Sequence, residues 1–408
     1  RKPNDKLKIK IVKKIISDVK KNRDQSLVKY EKKFSKFKKL SKNNLVFNKS
    51  EINKIIKRLD KKTKRSINIA FKRIYNFHKN QKFKDFKILD NYRNSLSYRS
   101  MPLEKIGVYV PGGTANYPSS VLMNCIPAIV AGVKEIYVTV PCVGKKINPG
   151  VLYAAQKCKV KKIYKLGGAQ AIAAFAYGTQ TINKVDKIVG PGNEYVALAK
   201  KEVFGEVGID MFAGPSEVTI IADKYSNPDW IAADLIAQAE HDEMSQSILI
   251  TDNKKIIMKV KKALESQIKF LPKKRIATKS LKKFGVAVLA KNSNEISKIT
   301  NKIAPEHLEI LTSKPQKYLK NINNAGSIFL GKYSPEAIGD YLAGPNHVLP
   351  TSGTAKFSSG LSAYDFLKRQ SIIKISKSGI ERLGSSVINL AEYENLQGHA
   401  NSIKIRIK

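Results

Sequence analysis

Short apolar runs alternate with alanine-rich helical windows from residue 106 onward, and this alternation most constrains the fold. The runs IGVYV, EIYVTV, KIYKL and DKIVG are separated by windows such as PSSVLMNCIPAIVAGV and AQAIAAFAYGT, with Gly and Pro between them. Runs of this length are typical of buried strands, and their alternation with helices predicts a parallel α/β sheet built from βαβ units.

A second set of the same kind follows residue 216. EVTIIAD and SQSILIT read as strands, with a helix between them that starts at Pro228 and is capped by Asn227. Further strands are predicted at GVAVLA (285–290) and GSIFLG (326–331). The first 90 residues read as amphipathic helix, and the segment beyond about 361 reads as a separate tail with a helix at 380–393 and a strand at SIKIRI.

The net charge of +42 would suggest a nucleic acid or an anionic membrane surface as partner, but its distribution argues against both. Residues 1–100 carry 33 basic and 8 acidic residues, whereas residues 108–250 carry 13 of each. Lys supplies 64 of the 75 basic residues, although bidentate phosphate and guanine recognition favours Arg. The excess of Lys is therefore interpreted as solvated helix faces, with an anion-binding surface as the alternative.

Three cysteines, Cys125, Cys142 and Cys158, lack the spacing of disulfide or zinc frameworks. We interpret them as reduced core residues; a catalytic thiol would need a base or helix terminus nearby. No run approaches the roughly 18 apolar residues of a spanning helix, so the expected location is the cytoplasm. The chain begins with Arg1 rather than Met, and a short preceding segment is expected.

Three glycine-bearing turns stand where a dinucleotide fold would carry GxGxxG. They are YVPGGTANYPSS (109–120), KLGGAQ (165–170) and VGPGN (189–193), each after a predicted strand. Glycine lets backbone approach a phosphate closely, and ligands of open α/β sheets bind beyond the carboxyl ends of strands. The turns indicate a ligand site, although plain turn glycines explain them equally well without further evidence.

Four of the five histidines stand beside acidic, amide or glycine residues, in AQAEHDE, APEHLEI, GPNHVLP and NLQGHA. His78, in the basic helical region, is interpreted as a surface or packing residue. Gln238 and His241 are spaced i, i+3 and would project from one helix face, which suits two ligands of one metal; a buried, hydrogen-bonded His is the alternative. Asp340 and His399 could complete a nitrogen and oxygen site for Zn or a similar metal.

Glu306 and His307 are adjacent behind Pro305. Side chains of neighbouring strand residues point to opposite faces, but at a bend both could reach one cleft. Histidine is the natural base for an alcohol proton at neutral pH, and a carboxylate beside it can activate water. The pair therefore suits a reaction with two proton transfers; a surface Glu beside a capping His is the alternative.

Taken together, these segments closely resemble the histidinol dehydrogenase family. The resemblance covers the chain from about residue 10 and is carried by GVYVPGGTANYPSSVLM, GGAQAIAAFAYGT, VDKIVGPGNEYVALAK, DMFAGPSEV, AQAEHDEMSQ, IAPEHLEI, GDYLAGPNHVLPTSGTAKFSSGLS and AEYENLQGHANSIKIRI. It implies a zinc-requiring, NAD-dependent homodimer that oxidises L-histidinol to L-histidine through the aldehyde.

The resemblance also implies roles for residues of this sequence. Glu306 and His307 would be catalytic, and zinc would be held by Gln238, His241, Asp340 and a partner subunit's His399. The substrate would be bound by the following residues: Ser216, Gln238, His241, His307, Asp340, His347, Glu394 and His399. Tyr109, Gln170 and Asn193 would contact NAD.

The implied architecture has two Rossmann-like parallel-sheet domains of the aldehyde-dehydrogenase kind. Residues 1–107 and 217–360 would form the first, with a helical N-terminal region, and residues 108–216 the second, which contacts NAD. Residues 361–408 would form an extension that crosses the dimer. Two alternatives remain: a related zinc and NAD dehydrogenase acting on another small diol, and a nucleic-acid-binding protein that uses the basic N-terminal helices.

Overall fold

The computed structural model describes residues 6–81, 83–112, 117–142, 147–211 and 214–407. The N-terminal region contains three helices followed by two strands. The helices are α1 (Lys6–Phe34), α2 (Lys49–Ile56) and α3 (Lys61–His78), and the strands are β1 (Phe86–Leu89) and β2 (Ser95–Pro102). Asn48 and Asp60 cap α2 and α3 by accepting backbone N–H bonds.

The first parallel sheet has five strands in the order β5-β4-β3-β6-β7. The strands are β3 (Lys105–Tyr109), β4 (Glu135–Thr139), β5 (Lys162–Tyr164), β6 (Lys187–Val189) and β7 (Gly208–Ile209). The helices that connect them are α4 (Pro118–Ala131), α5 (Pro149–Lys157), α6 (Gly168–Tyr177) and α7 (Glu194–Val203). The strand order reverses between β3 and β6, as in Rossmann-like folds.

The second parallel sheet repeats this arrangement in the order β10-β9-β8-β11-β12. Its strands are β8 (Glu217–Ala222), β9 (Gln246–Thr251), β10 (Val286–Leu289), β11 (His307–Ile310) and β12 (Ser327–Leu330). Its helices are α8 (Pro228–Ala239), α9 (Lys254–Gln267), α10 (Lys274–Phe284), α11 (Ser293–Ile303), α12 (Gln316–Leu319) and α13 (Glu336–Tyr341). The predicted fold class is confirmed by these two sheets.

The tail consists of β13 (Leu367–Lys374), α14 (Lys377–Tyr393) and α15 (Gln397–Lys404). β13 pairs antiparallel with β2, so residues 86–102 and 367–374 share a third, three-stranded sheet. The predicted strand at SIKIRI is wrong, because most of this segment lies in α15 and the turn after it. The isoleucines at every second position include Ile403 and Ile407, which are four residues apart. Both lie against Gly384 of α14, as residues one helical turn apart would.

Residues of α1–α3 belong to the same hydrophobic core as the first parallel sheet. This packing differs from the predicted grouping of residues 1–107 with 217–360, because the apolar faces of these helices are buried against the helices of the first sheet. The division of the chain into domains stays a prediction. None of the helices in the described ranges is both long and apolar enough to cross a membrane.

Candidate active site

Two strands of the second sheet begin side by side at the candidate site. His307, the first residue of β11, pairs with Val218 of β8. Helix α8 runs back from the carboxyl end of β8 toward the amino ends of the strands and ends at Ala239. Gln238 therefore lies in its last turn, and His241 lies in the non-helical turn that follows. The site therefore lies at the amino ends of these strands. The glycine turns 165–170 and 189–193 follow the carboxyl ends of strands of the first sheet, and residues 113–116 of the turn predicted at 109–120 lie outside the described residues.

The backbone of Glu217 bonds both members of the adjacent pair. Its N–H donates to Oε2 of Glu306 at 2.8 Å, and its carbonyl oxygen lies 3.1 Å from Nδ1 of His307. A carbonyl oxygen only accepts hydrogen bonds, so Nδ1 carries the proton of the neutral ring and Nε2 carries the lone pair. Nε2 is buried, has no hydrogen-bond partner in the described part of the chain, and lies 3.9 Å from Oδ1 of Asp340.

Burial shifts the pKa values of the pair in opposite directions. Desolvation raises the pKa of Glu306 well above its usual value, and the nearby Glu217 and Asp340 carboxylates raise it further. Desolvation lowers the pKa of His307 to about 4, although Asp340 opposes this shift. His307 is therefore a neutral imidazole at physiological pH, and the Glu306 carboxylate is a stronger base than an exposed one.

Helix α13 supplies Asp340, and the segment after it supplies His347. Nδ1 of His347 lies 3.0 Å from the carbonyl oxygen of Asp340, which fixes its tautomer in the same way. Burial lowers the pKa of His347, and His241 lowers it further. His241, which is exposed in the turn after α8, also lowers the pKa of His307. His241 is not a member of the metal-binding group that the described residues form.

Glu336 is a member of this cluster that the sequence reasoning missed. In the amide orientation that satisfies Gln238, its Nε2 donates to both carboxylate oxygens of Glu336, at 2.6 and 3.2 Å. In the described ranges, the ligand atoms of His307, Glu336 and Asp340 lie within 4.8 Å of one another, as in a metal-binding group. The i, i+4 spacing of Glu336 and Asp340 in PEAIGDY was the available signal.

A second missed carboxylate, Glu309, lies two residues after His307 on the same face of β11. Its Oε1 accepts the backbone N–H of Glu336 at 2.5 Å, and the carboxylate of Asp234 is close enough to raise its pKa. Burial raises the pKa of Glu309 well above its usual value and that of Asp234 to about 6. A glutamate between the apolar residues Leu308 and Ile310 was the signal for Glu309.

Two other predicted residues, Glu394 and His399, stand apart from the buried cluster. His399 lies on α15 and Glu394 ends α14, and both are exposed. His399 is not a member of the metal-binding group that the described residues form. Ser216 directly precedes β8 and is partly buried, and its carbonyl oxygen accepts the N–H of Gln246.

The predicted cofactor residues lie at the carboxyl edge of the first sheet. Tyr109 ends β3, Gln170 lies in the first turn of α6, and Asn193 caps α7 by accepting the N–H of Val196. Gly190 lies directly against the end of β3. A Cβ on Gly190 would be 2.1 Å from the carbonyl oxygen of Tyr109, and the residue has a φ of +110°, so only glycine fits here. Tyr109 and Gln170 are almost fully buried in this chain, and Asn193 is exposed.

Comparisons with known proteins cover nearly the whole chain. The family profile described as histidinol dehydrogenase matches residues 1–407. Histidinol dehydrogenase of Pelagibacter ubique is 54% identical over 397 residues, which are 97% of this chain and 91% of that protein. The corresponding enzyme of Clostridium acetobutylicum is 48% identical, covering 98% of this chain and 92% of that one.

Solved structures give the same relationship. The crystal structure of histidinol dehydrogenase from Elizabethkingia anophelis matches with a TM-score of 0.93 and 39% identity, over 98% of this chain and 92% of that one. A propionaldehyde dehydrogenase from Rhodopseudomonas palustris matches with a TM-score of 0.50 and 11% identity, over 89% of this chain and 97% of that one. The second match concerns the fold alone.

Proposed function

Since the chain belongs to the histidinol dehydrogenase family of oxidoreductases, we propose that it oxidises L-histidinol to L-histidine through the aldehyde, with NAD as electron acceptor and with bound zinc. The observation that carries this proposal is the arrangement of His307. Its Nδ1 proton is held by the Glu217 carbonyl, and the Glu306 carboxylate lies 3.7 Å from the ring. Among the described residues its Nε2 has no hydrogen-bond partner, and it lies 3.9 Å from Oδ1 of Asp340.

The donor set of the cluster supports a zinc site. Gln238, His241 and Asp340 offer amide oxygen, imidazole nitrogen and carboxylate oxygen, a mixture that suits Zn²⁺. Both N–H bonds of the Gln238 amide are directed at Glu336, so its oxygen is the end that can bind a cation. We propose His399 of the partner subunit as the fourth ligand, because His399 of the same chain lies on α15, which packs chiefly against α14 in the tail.

Zinc would supply orientation of the substrate, and NAD would accept the hydride in each of the two oxidations. His307 would accept the alcohol proton at Nε2 in the first oxidation and act as base again in the second. Glu306 would take a proton from the water that adds to the aldehyde, a role that its raised pKa favours. Ser216, His347 and Glu394 would contact the substrate.

Tyr109, Gln170 and Asn193 support an NAD site because Tyr109 ends β3 and the other two follow strands at the same sheet edge, where the strand order reverses between β3 and β6. The site would then lie between the carboxyl edge of the first sheet and the amino ends of β8 and β11. A bond of 2.6 Å from Nδ2 of Asn346 to the Met123 carbonyl connects the two halves.

A homodimer is supported by apolar side chains that the tail leaves exposed. Ile373, Leu390 and Tyr393 are 67%, 61% and 86% exposed, and Ile88 and Leu89 of the same sheet are 52% and 67% exposed. Exposed apolar surface of this extent marks an interface. We propose a second copy of the chain as its occupant, because the same tail carries His399. Three buried free thiols suit a reducing compartment, here proposed as the cytoplasm.

The proposal is tested by counting the NADH formed per L-histidinol consumed, before chelation, after chelation and after zinc is restored. Two NADH per substrate, lost with the chelator and regained with zinc, are expected. A zinc-loaded dimer that does not oxidise L-histidinol but oxidises another small diol would contradict the proposed substrate and favour the related dehydrogenase.

A further inference from the structure

Helix α1 lies along α6 and bonds both of its ends. At the carboxyl end of α6, Nη1 of Arg23 donates to the carbonyl oxygens of Tyr177 and Gly178 at 3.0 and 2.7 Å. Just beyond, Oδ2 of Asp24 accepts the hydroxyl of Thr181 at 2.6 Å. Glu31 lies seven residues further along α1, two turns on the same side, and reaches the amino end of α6.

The Glu31 carboxylate is fully buried and accepts three hydrogen bonds. Oε1 accepts the N–H of Gly167 and Nε2 of Gln170, each at 2.8 Å, and Oε2 accepts the Ser35 hydroxyl at 2.5 Å. Burial of a carboxylate is unfavourable, and here it raises the pKa of Glu31 despite these bonds. An apolar side chain would pack α1 against α6 at lower cost, so the carboxylate indicates a specific geometry that is being held.

That geometry belongs to the turn that precedes α6. Gly168 adopts a φ of +62°, and its N–H donates to the Tyr109 hydroxyl at 3.1 Å. A Cβ on Gly167 would lie 2.8 Å from Cγ of Pro141, so the turn fits closely against its neighbour. Glu31 bonds Gly167 and Gln170 directly, and through the adjacent Gly168 it also fixes the position of Tyr109.

We infer that Glu31 is a positioning residue for the cofactor-binding half of the site, an inference that rests on the proposed function and deepens it. Glu31 does not contact the cofactor. Glu31 holds the turn and the side-chain amide of Gln170 in one orientation. In that orientation Nε2 of Gln170 donates to Glu31, and Oε1 of Gln170 is left as an acceptor. The cofactor group nearest Gln170 is then an uncharged donor, such as a ribose hydroxyl or a carboxamide, because a phosphate would be repelled by the carboxylate behind it.

Asp24 provides a matched control for this inference. It is a buried carboxylate on the same helix and accepts a bond from the residues that follow α6, but at the end away from the cofactor residues. Full-length, zinc-loaded Glu31→Ala and Asp24→Ala would be compared with wild type for the KM of NAD, the KM of L-histidinol, kcat and the thermal midpoint.

Glu31→Ala is expected to raise the KM of NAD by roughly tenfold, the loss expected for charge-assisted hydrogen bonds that hold a site in place. Both kcat at saturating NAD and the KM of L-histidinol should change by less than about twofold. Asp24→Ala should lower the thermal midpoint without raising the KM of NAD. Glu31→Gln, which keeps an acceptor oxygen, should restore much of the NAD affinity.

An unchanged KM of NAD in folded Glu31→Ala, or an equal rise in Asp24→Ala, would overturn the inference alone. If Glu31→Ala does not fold, Glu31→Asp takes its place, since it retains the charge but withdraws it by one methylene. A wild-type protein that turns over L-histidinol without saturable NAD dependence would instead overturn the proposed cofactor, and the inference with it.

Discussion

His307 and Glu217 are joined by a hydrogen bond of 3.1 Å between Nδ1 of the ring and the backbone carbonyl oxygen. Because the acceptor is a backbone atom, a substitution at position 217 can remove this hydrogen bond only by moving strand β8. The base of the proposed reaction is therefore oriented by β8 itself, and only Nε2 is available to a substrate.

The separate roles proposed for Glu306, which activates water, and His307, which accepts the alcohol proton, can be tested by kinetics. Glu306→Gln should spare oxidation of the alcohol more than oxidation of the aldehyde, because only the second step needs activated water. His307→Ala should reduce both steps by about 10²–10⁴-fold, the usual contribution of a positioned acid or base. The two half-reactions are measured separately with L-histidinol and with the aldehyde. Equal losses in the Glu306 variant would contradict the assignment.

Removal of the Glu336 charge is expected to weaken metal binding. Glu336→Gln deprives the Gln238 amide of its charged acceptor, so the zinc affinity should fall by about 10–100-fold. Competition with a chromophoric chelator measures this affinity without turnover. Glu206→Gln, which alters an exposed ion pair with Lys184, is the control and should bind zinc as wild type does. Unchanged affinity in the Glu336 variant would remove Glu336 from the site.

Mixed dimers test whether the tail crosses to the partner. His307→Ala and His399→Ala homodimers should both be inactive. When the two chains are unfolded together and reassembled in equal amounts, about a quarter of the wild-type activity should return, because half of the dimers are mixed and each has one intact site. No recovered activity in reassembled dimers would mean that His399 acts within its own chain.

The buried ion pair between Lys200 and Asp210 should contribute strongly to stability. Both side chains are almost fully buried, and both bond Gly190: Lys200 donates to its carbonyl oxygen at 3.1 Å and Asp210 accepts its N–H at 2.7 Å. Asp210→Asn leaves a buried charge unpaired, at a cost of about 3–5 kcal/mol. Thermal unfolding measures the loss, and Glu206→Gln, at the exposed pair with Lys184, should change it little.

His78 is expected to make stability depend on pH below neutrality. It is fully buried, and its Nδ1 donates to Oε1 of Gln81 at 2.7 Å, which also accepts the N–H of Ala363. Burial lowers the pKa of His78 from 6.5. As pH falls below 6.5, the unfolded state binds a proton that the folded state does not, so stability is lost. His78→Asn, which keeps a donor, should lose less between pH 7.5 and 5.5 when thermal midpoints are compared.

The parallel sheets could be predicted from sequence because their strands are short, apolar and separated by helices. The antiparallel sheet could not. β2 carries the polar sequence SLSYRSMP and finds its partner β13 more than 260 residues later, so no local pattern reports the pairing. The resemblance to the family is confirmed by relatives that cover nearly the whole chain.

Within the candidate site, sequence reasoning found the residues whose motifs are distinctive and missed those that support them. Glu336 and Glu309 carry only weak local signals in the sequence and Glu31 carries none, and the importance of all three depends on burial, which becomes visible only when the chain is folded. His399 is a candidate ligand by its residue type, and only the family resemblance implies that it comes from the partner subunit, which stays a prediction.

The pairing of β2 with β13 has a consequence for synthesis on the ribosome. One edge of β2 is open until Leu367–Lys374 has emerged, and at about 5–20 residues per second this takes on the order of tens of seconds after Pro102 is made. An open strand edge invites pairing with other chains. Synthesis of residues 367–374 is thus required to close this sheet, and chains released before that point should depend on chaperones to avoid aggregation.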